Sequence, residues 1–201
     1  MAGAPIDFYF DFSSPYGYLG AQRIEALARK HGREVAWRPF LLGVVFKDTG
    51  AQPLVDYPIK GEYALRDFKR SARLYGIEFV MPETFPVSAL AGSRAFYWLG
   101  DRDPGKAKAL ARALFAAVFQ RGHDIGAPER VVEVAADLGV DPEELRAALT
   151  DPAVKQRLRD EVGAAIERGV FGSPFFFVDG EPFWGADRLD HVDRWLETGG
   201  W

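Results

Sequence analysis

Two serines, two helix openings and a few carboxylates are the groups in this chain whose types and spacing could do chemistry. The first set is Asp11-Phe12-Ser13-Ser14-Pro15. Ser14-Pro15 reads as a helix start, with serine at the N-cap and proline at the first helical position. Before it, Phe8, Phe10 and Phe12 alternate with Asp7, Tyr9 and Asp11, which reads as a strand. A helix that opens at a strand end offers free N–H groups and the positive end of its dipole to an anion or a thiolate. Ser14 would donate a hydrogen bond to that group, or act only as a cap. A nucleophilic serine needs a base. The histidines, His31, His123 and His191, read as solvated residues at polar helix ends, and no Ser-His-Asp arrangement is legible. Asp7 and Asp11 could form an acid–base couple, although solvated or hydrogen-bonded strand positions account for them better.

The second set lies near the other end of the chain. Gly172-Ser173-Pro174 is well placed for a cis peptide bond. In that geometry the backbone of Ser173 could pair with a peptide ligand in strand fashion; otherwise the segment is a simple strand entry. Trp184-Gly185-Ala186-Asp187 then leads into a last helix, with Asp187 as its N-cap. The alternative use of this second helix start is to hold the ends of a peptide ligand, N–H groups taking a carboxylate and Asp187 an ammonium. There is no cysteine. A disulfide, a cysteine nucleophile and a thiolate metal site are therefore excluded, and a sulfur at the Ser14 helix start must come from outside. Glutathione is the natural candidate. No metal-binding spacing such as H-E-x-x-H and no phosphate-cradling glycine loop occurs.

The elements that position these residues follow from pattern. After the first strand and helix, which ends at His31-Gly32, Glu34 to Phe40 reads as a second strand. Leu41 to Pro58 reads as a long irregular loop. From about Lys60 to Arg168 only helical periodicity recurs, with Asp-Pro starts at Asp103, Asp141 and Asp151. Strand character returns at Pro174 to Val178, Asp179-Gly180 is a hairpin turn, and Glu181 to Trp184 is the returning strand. The order β-α-β, helical block, β-β-α is that of an α/β thioredoxin-like fold with a large all-helical insertion. The division expected is residues 1–45 with 169–201 as a discontinuous thioredoxin-like domain, and 46–168 as loop plus insertion. In such a fold the Ser14 junction stands beside Pro174.

Composition bounds the rest. A formal net charge of −4 argues against a nucleic-acid partner, and no apolar run approaches a membrane span. Hydrophobic residues at 48% and charged residues at 27% are those of an ordinary soluble domain. Met1 to Pro5 has no basic region of the kind that opens a secretion signal, so a cytoplasmic protein is expected.

Three separated stretches carry a family resemblance. Phe8 to Tyr16 with Tyr18-Leu19, Ala165 to Pro174, and Phe183-Trp184-Gly185-Ala186-Asp187-Arg188-Leu189 together resemble the 2-hydroxychromene-2-carboxylate isomerases and their relatives, the kappa-class glutathione transferases. The resemblance spans nearly the whole chain. It implies that Ser14 activates the sulfur of glutathione, that Ser173 beside Pro174 pairs with its cysteinyl backbone, and that Trp184, Gly185, Ala186 and Asp187 hold its γ-glutamyl end. Phe46 and Lys47 would sit by a small aromatic substrate. It further implies a homodimer and an isomerisation in which the thiolate adds to a conjugated double bond and is expelled again. The alternatives are a transferase that releases a stable conjugate, and a binding protein without activity. The chain departs from the family at Ala51, where relatives often carry asparagine, and at Ser173, where the residue is commonly aliphatic.

Overall fold

Ile6–Phe10 forms the central strand β1 of a computed structural model that describes residues 3–201. Met1 and Ala2, part of the segment read as lacking a secretion signal, lie outside those residues. Helix α1 spans Pro15–Lys30, capped by Ser14 and closed by Gly32 at φ +63°. Strand β2, Val35–Pro39, lies parallel to β1 with Phe8 opposite Trp37.

The next segment differs from the expected loop. Leu42–Thr49 is helix α2, and Leu54–Asp56 adds a single 3-10 turn. The position before α2, Leu41, provides no side-chain cap. The first helical N–H, that of Leu42, instead donates to the carboxylate of Asp11, 2.8 Å away. A helix capped by a residue distant in sequence carries no local start signal, which is why pattern alone reads it as irregular.

Helices α3 (Lys60–Leu74), α4 (Leu90–Gly100), α5 (Pro104–Phe119), α6 (Pro128–Ala136), α7 (Pro142–Thr150) and α8 (Pro152–Glu167) follow, with no intervening strand among the described residues. Asp103, Asp141 and Asp151 each accept first-turn N–H groups of α5, α7 and α8, as the Asp-Pro pairs imply. Strands β3 (Phe175–Val178) and β4 (Glu181–Trp184) form a hairpin whose turn residues, Asp179 and Gly180, both have positive φ. Helix α9, Leu189–Thr198, ends the chain. The sheet order is β2-β1-β3-β4, with β3 antiparallel to both its neighbours. This is the thioredoxin arrangement with a helical insertion.

Most of the phenylalanines are core. Phe8 stacks on Phe176 at 5.3 Å, and Phe10 and Phe12 meet Phe115 of α5 at 5.3 and 5.1 Å. The apolar interior therefore runs from the sheet into the helical block. Glu25 of α1 accepts from the Trp37 indole at 2.8 Å and pairs with Lys108 and Arg112 of α5, which fastens the same layers at their polar margin.

Candidate active site

Ser14 sits in the bend between β1 and α1, almost fully buried. Its hydroxyl oxygen accepts the Gly17 N–H at 2.9 Å, the N-cap bond that its sequence position implies. The same hydroxyl lies 2.9 Å from the carbonyl oxygen of Ser173. A carbonyl only accepts, so the single hydroxyl proton of Ser14 is committed to Ser173. The cap and the donor role do not compete: one uses a lone pair and the other the proton.

Ser173 continues the β1–β3 ladder by an unusual means. The register pairs Tyr9 with Phe175, which brings Asp11 opposite Ser173. There the Ser173 hydroxyl oxygen, not a backbone carbonyl, accepts the Asp11 N–H at 3.0 Å. The Ser173-Pro174 peptide is cis. The Pro174 carbonyl accepts the Gly185 N–H at 3.0 Å, which attaches the Trp184–Asp187 segment to the same point. Two glycines of α1 permit the approach. A Cβ on Gly17 would stand 2.6 Å from the Ser173 hydroxyl, and one on Gly20 3.1 Å from the Pro174 ring.

The helix opening is less free than its position suggests. Ser13 N–H donates to the Asp11 carboxylate at 2.7 Å, Ser14 N–H to the Asp11 carbonyl at 3.0 Å, and Tyr18 N–H to the Ser14 carbonyl at 2.9 Å. Gly17 is taken by the cap, and Pro15 has no N–H. Among the described residues only the Tyr16 N–H of this first turn lacks an acceptor. The backbone N–H of Ser173, in a residue only 9% exposed, likewise has none.

Asp7 and Asp11 are not an acid–base couple. Asp7 lies between Arg38 at 2.7 Å and Arg168 at 2.6 Å. Asp11 is buried and takes Ser13 N–H, Ser13 O–H and Leu42 N–H. Burial pushes its carboxyl above the ordinary carboxylate range, against the opposing pull of those three donors. Its work is to join the start of α2 to the Ser14 bend. Phe46, half-buried, and Lys47, exposed, ride on that helix.

Asp187 is not the N-cap of the last helix. Ala186–Arg188 forms a 3-10 turn that leads directly into α9, whose N-cap position is Arg188. The Asp187 carboxylate is exposed and lies 3.2 Å from the Arg188 guanidinium. Trp184 is half-exposed, with its ring 4.9 Å from Phe171 and its indole against Gly172. Ala186 is fixed from α1, because Arg23 donates to its carbonyl at 2.9 Å.

Two features escape sequence reasoning. Tyr16, two residues past Ser14, donates its hydroxyl to Asp67 of α3 at 2.5 Å, and Asp67 pairs in turn with Arg70. Burial first, and Asp67 second, push the Tyr16 phenol above its ordinary range, and the charge of Asp187 adds to this. Bonds from Tyr16 and Arg70 outweigh burial at Asp67 and hold its carboxyl low. No local signal marks a contact 51 residues apart. His31, expected in solvent, is largely buried against Asp193 at 2.6 Å, while His123 and His191 are exposed.

A sheet of this order, with a strand–helix junction facing a cis-proline, defines a thioredoxin-fold protein, here one without cysteine. A family model of the DsbA-like thioredoxin domain matches residues 5–197. The chain belongs to that family, and within it to the group of 2-hydroxychromene-2-carboxylate isomerases and kappa-class glutathione transferases. A Sphingobium xenophagum protein named 2-hydroxychromene-2-carboxylate isomerase is 32% identical over 194 residues, covering 95% of this chain and 97% of that one. The rat protein named glutathione S-transferase kappa 1 is 26% identical, covering 98% and 95%. A solved structure of a 2-hydroxychromene-2-carboxylate isomerase superposes with a TM-score of 0.86 at 32% identity, over 97% of this chain and 95% of that one. The Pseudomonas aeruginosa disulfide reductase DsbM, at 18% identity and a TM-score of 0.66, shares the fold alone. Among the described residues no helix is long and apolar enough to cross a membrane.

Proposed function

We propose that the chain is a glutathione-dependent isomerase of an aromatic-derived carboxylate. The observation that carries this reading is the Ser14 hydroxyl at a helix opening, 2.9 Å from the residue before the cis-proline, in a chain with no cysteine of its own. A thioredoxin-fold site that lacks a thiol is complete only when a ligand brings one. The residues fit such a ligand: the N–H of Ser173, a nearly buried residue, has no acceptor, and the Tyr16 N–H is free at the helix opening.

In this proposal the Ser173 backbone pairs with the cysteinyl unit and Ser14 donates to the sulfur. The positive end of α1 favours the thiolate over the thiol. Trp184, Gly185, Ala186 and Asp187 hold the γ-glutamyl end, the exposed Asp187 carboxylate taking its ammonium. Phe46 and Lys47 on α2 face the second substrate, an aromatic ring and a carboxylate respectively. Bound glutathione supplies a thiolate that adds to a conjugated double bond and departs again, so that the net change is isomerisation. The setting proposed is a homodimer in the cytoplasm, where a reducing environment keeps the borrowed thiol free.

Kinetics test the reading. 2-Hydroxychromene-2-carboxylate should interconvert with its trans-benzalpyruvate isomer only when glutathione is present. Ser14→Ala should lower kcat/KM by about 100-fold, the scale for removal of one preorganised donor to a developing or bound anion. Equal turnover without glutathione overturns the proposal. The similarity to kappa-class relatives supports a second reading, a transferase, which a stable glutathione conjugate in the product mass spectrum would establish. Tight glutathione binding with no turnover of either kind would leave a binding protein.

A further inference from the structure

The Ser14 hydroxyl has one proton, and it is held by the Ser173 carbonyl at 2.9 Å. One of its two acceptor lone pairs takes the Gly17 N–H at 2.9 Å. As it stands, Ser14 has nothing to donate to a sulfur. The carbonyl that holds the proton is also half of the backbone pair that a strand-like peptide ligand uses. Its other half, the Ser173 N–H, waits without an acceptor. A residue paired in strand fashion exchanges both bonds, giving its N–H to the carbonyl and taking the N–H with its own carbonyl.

We propose that Ser173 is a positioning residue that keeps the Ser14 donor switched away from the site until a ligand amide takes over its carbonyl. The inference rests on the glutathione reading above. The cysteinyl unit carries both groups involved: its amide N–H claims the Ser173 carbonyl, and its side chain presents the sulfur to which the released Ser14 proton turns. The Gly17 bond anchors the Ser14 oxygen throughout, so the change is a rotation of one O–H bond and not a movement of the chain. Thiolate stabilisation is thereby coupled to correct seating of the ligand backbone. A small thiol without that amide meets Ser14 with its proton still committed. The fixed surroundings support this account. Ser173 is pinned on its other side by the Asp11 N–H at 3.0 Å, and the Gly17 backbone packs so close to both serines that a Cβ there would stand 2.6 Å from the Ser173 hydroxyl and 3.0 Å from Ser14 Cβ.

The test is a titration of the bound thiol by its thiolate absorbance, which reads ionisation and not turnover. Native protein is saturated with glutathione, or with glutathione methylated on the cysteinyl amide nitrogen, which removes the one N–H at issue. Bound glutathione is expected to carry at least about tenfold more thiolate at neutral pH than free glutathione, in line with thiols at helix openings. The methylated analogue at saturation is expected to lose most of that gain. An analogue that binds and is acidified as fully as glutathione overturns the inference while leaving the functional reading intact. If the analogue does not bind, the crystal structure of the glutathione complex decides. Ser14 Oγ within hydrogen-bond distance of the sulfur and released from the Ser173 carbonyl supports the inference; Ser14 still donating to that carbonyl overturns it. Failure of glutathione itself to bind, or binding with no acidification, overturns the functional reading together with this inference.

Discussion

Asp11 shows how much a single side chain can hold together in this molecule. One carboxylate oxygen takes both the N–H and the O–H of Ser13, and the other takes the N–H of Leu42. Three donors on two oxygens match a carboxylate and not a carboxamide, whose NH2 would face an N–H. Asp11→Asn is therefore expected to destabilise by about 1–3 kcal/mol, the scale for a buried polar group left unpaired. Urea unfolding measures this. The loss should fall first on α2, which has no cap of its own, so amide exchange near Leu42 should quicken more than exchange in α1.

At the scale of elements, α1 is the organiser, and its glycines pack against the candidate site. Gly→Ala in a helix interior ordinarily stabilises by about 1 kcal/mol. Gly17→Ala is expected to do the reverse, because its Cβ would stand 2.6 Å from the Ser173 hydroxyl and 3.0 Å from Ser14 Cβ. Overpacking of this kind costs about 1–3 kcal/mol, readable as a lower urea midpoint, and should weaken the proposed binding of glutathione in parallel. The far end of α1 is tied to α9 through Asp193, which accepts from Lys30 at 2.8 Å and meets His31 at 2.6 Å. The Lys30 bond first, and His31 second, hold the Asp193 carboxyl below its usual 3.8. A carboxyl lower in the folded than in the unfolded chain adds stability above the unfolded value and loses it as pH falls through the folded one. Asp193→Asn should accordingly flatten the fall of Tm below about pH 4. Salt should shrink the difference, since the pair is partly exposed.

For the whole molecule the deciding contact is that between the sheet and the insertion. Phe115 of α5 touches both Phe10 and Phe12 and is itself fully buried. The helical block thus packs directly behind the strand that leads to Ser14. Phe115→Ala is expected to cost about 3–5 kcal/mol. Unfolding followed by far-ultraviolet circular dichroism and by tryptophan fluorescence should coincide in one transition, in the native chain and in this variant alike. Two separated transitions would show that the discontinuous thioredoxin-like part and the insertion fold independently.

Much of this architecture was legible in the amino-acid order, because its causes are local. Period-2 alternation from Ile6, the Ser-Pro and Asp-Pro helix starts, and the Asp179-Gly180 turn each act within a few residues, and each formed the element it implies, although the strand stops at Phe10 and Phe12, read as its last residue, lies in the bend before Ser14. Where the cause is not local, pattern failed. Helix α2 borrows its cap from Asp11, 31 residues earlier, and reads as loop. Asp187 has the residue type of a cap but stands inside a 3-10 turn fixed by Gly185 and Arg23. The candidate site divides in the same way. Residue types and family resemblance single out Ser14, Ser173 and Pro174. The fate of the Ser14 proton, the free N–H of Ser173 and the Tyr16–Asp67 pair belong to tertiary structure alone. A hydroxyl has one proton and several neighbours, and the neighbour that takes it here lies 159 residues away. Only the folding of β3 against β1 brings that carbonyl within reach.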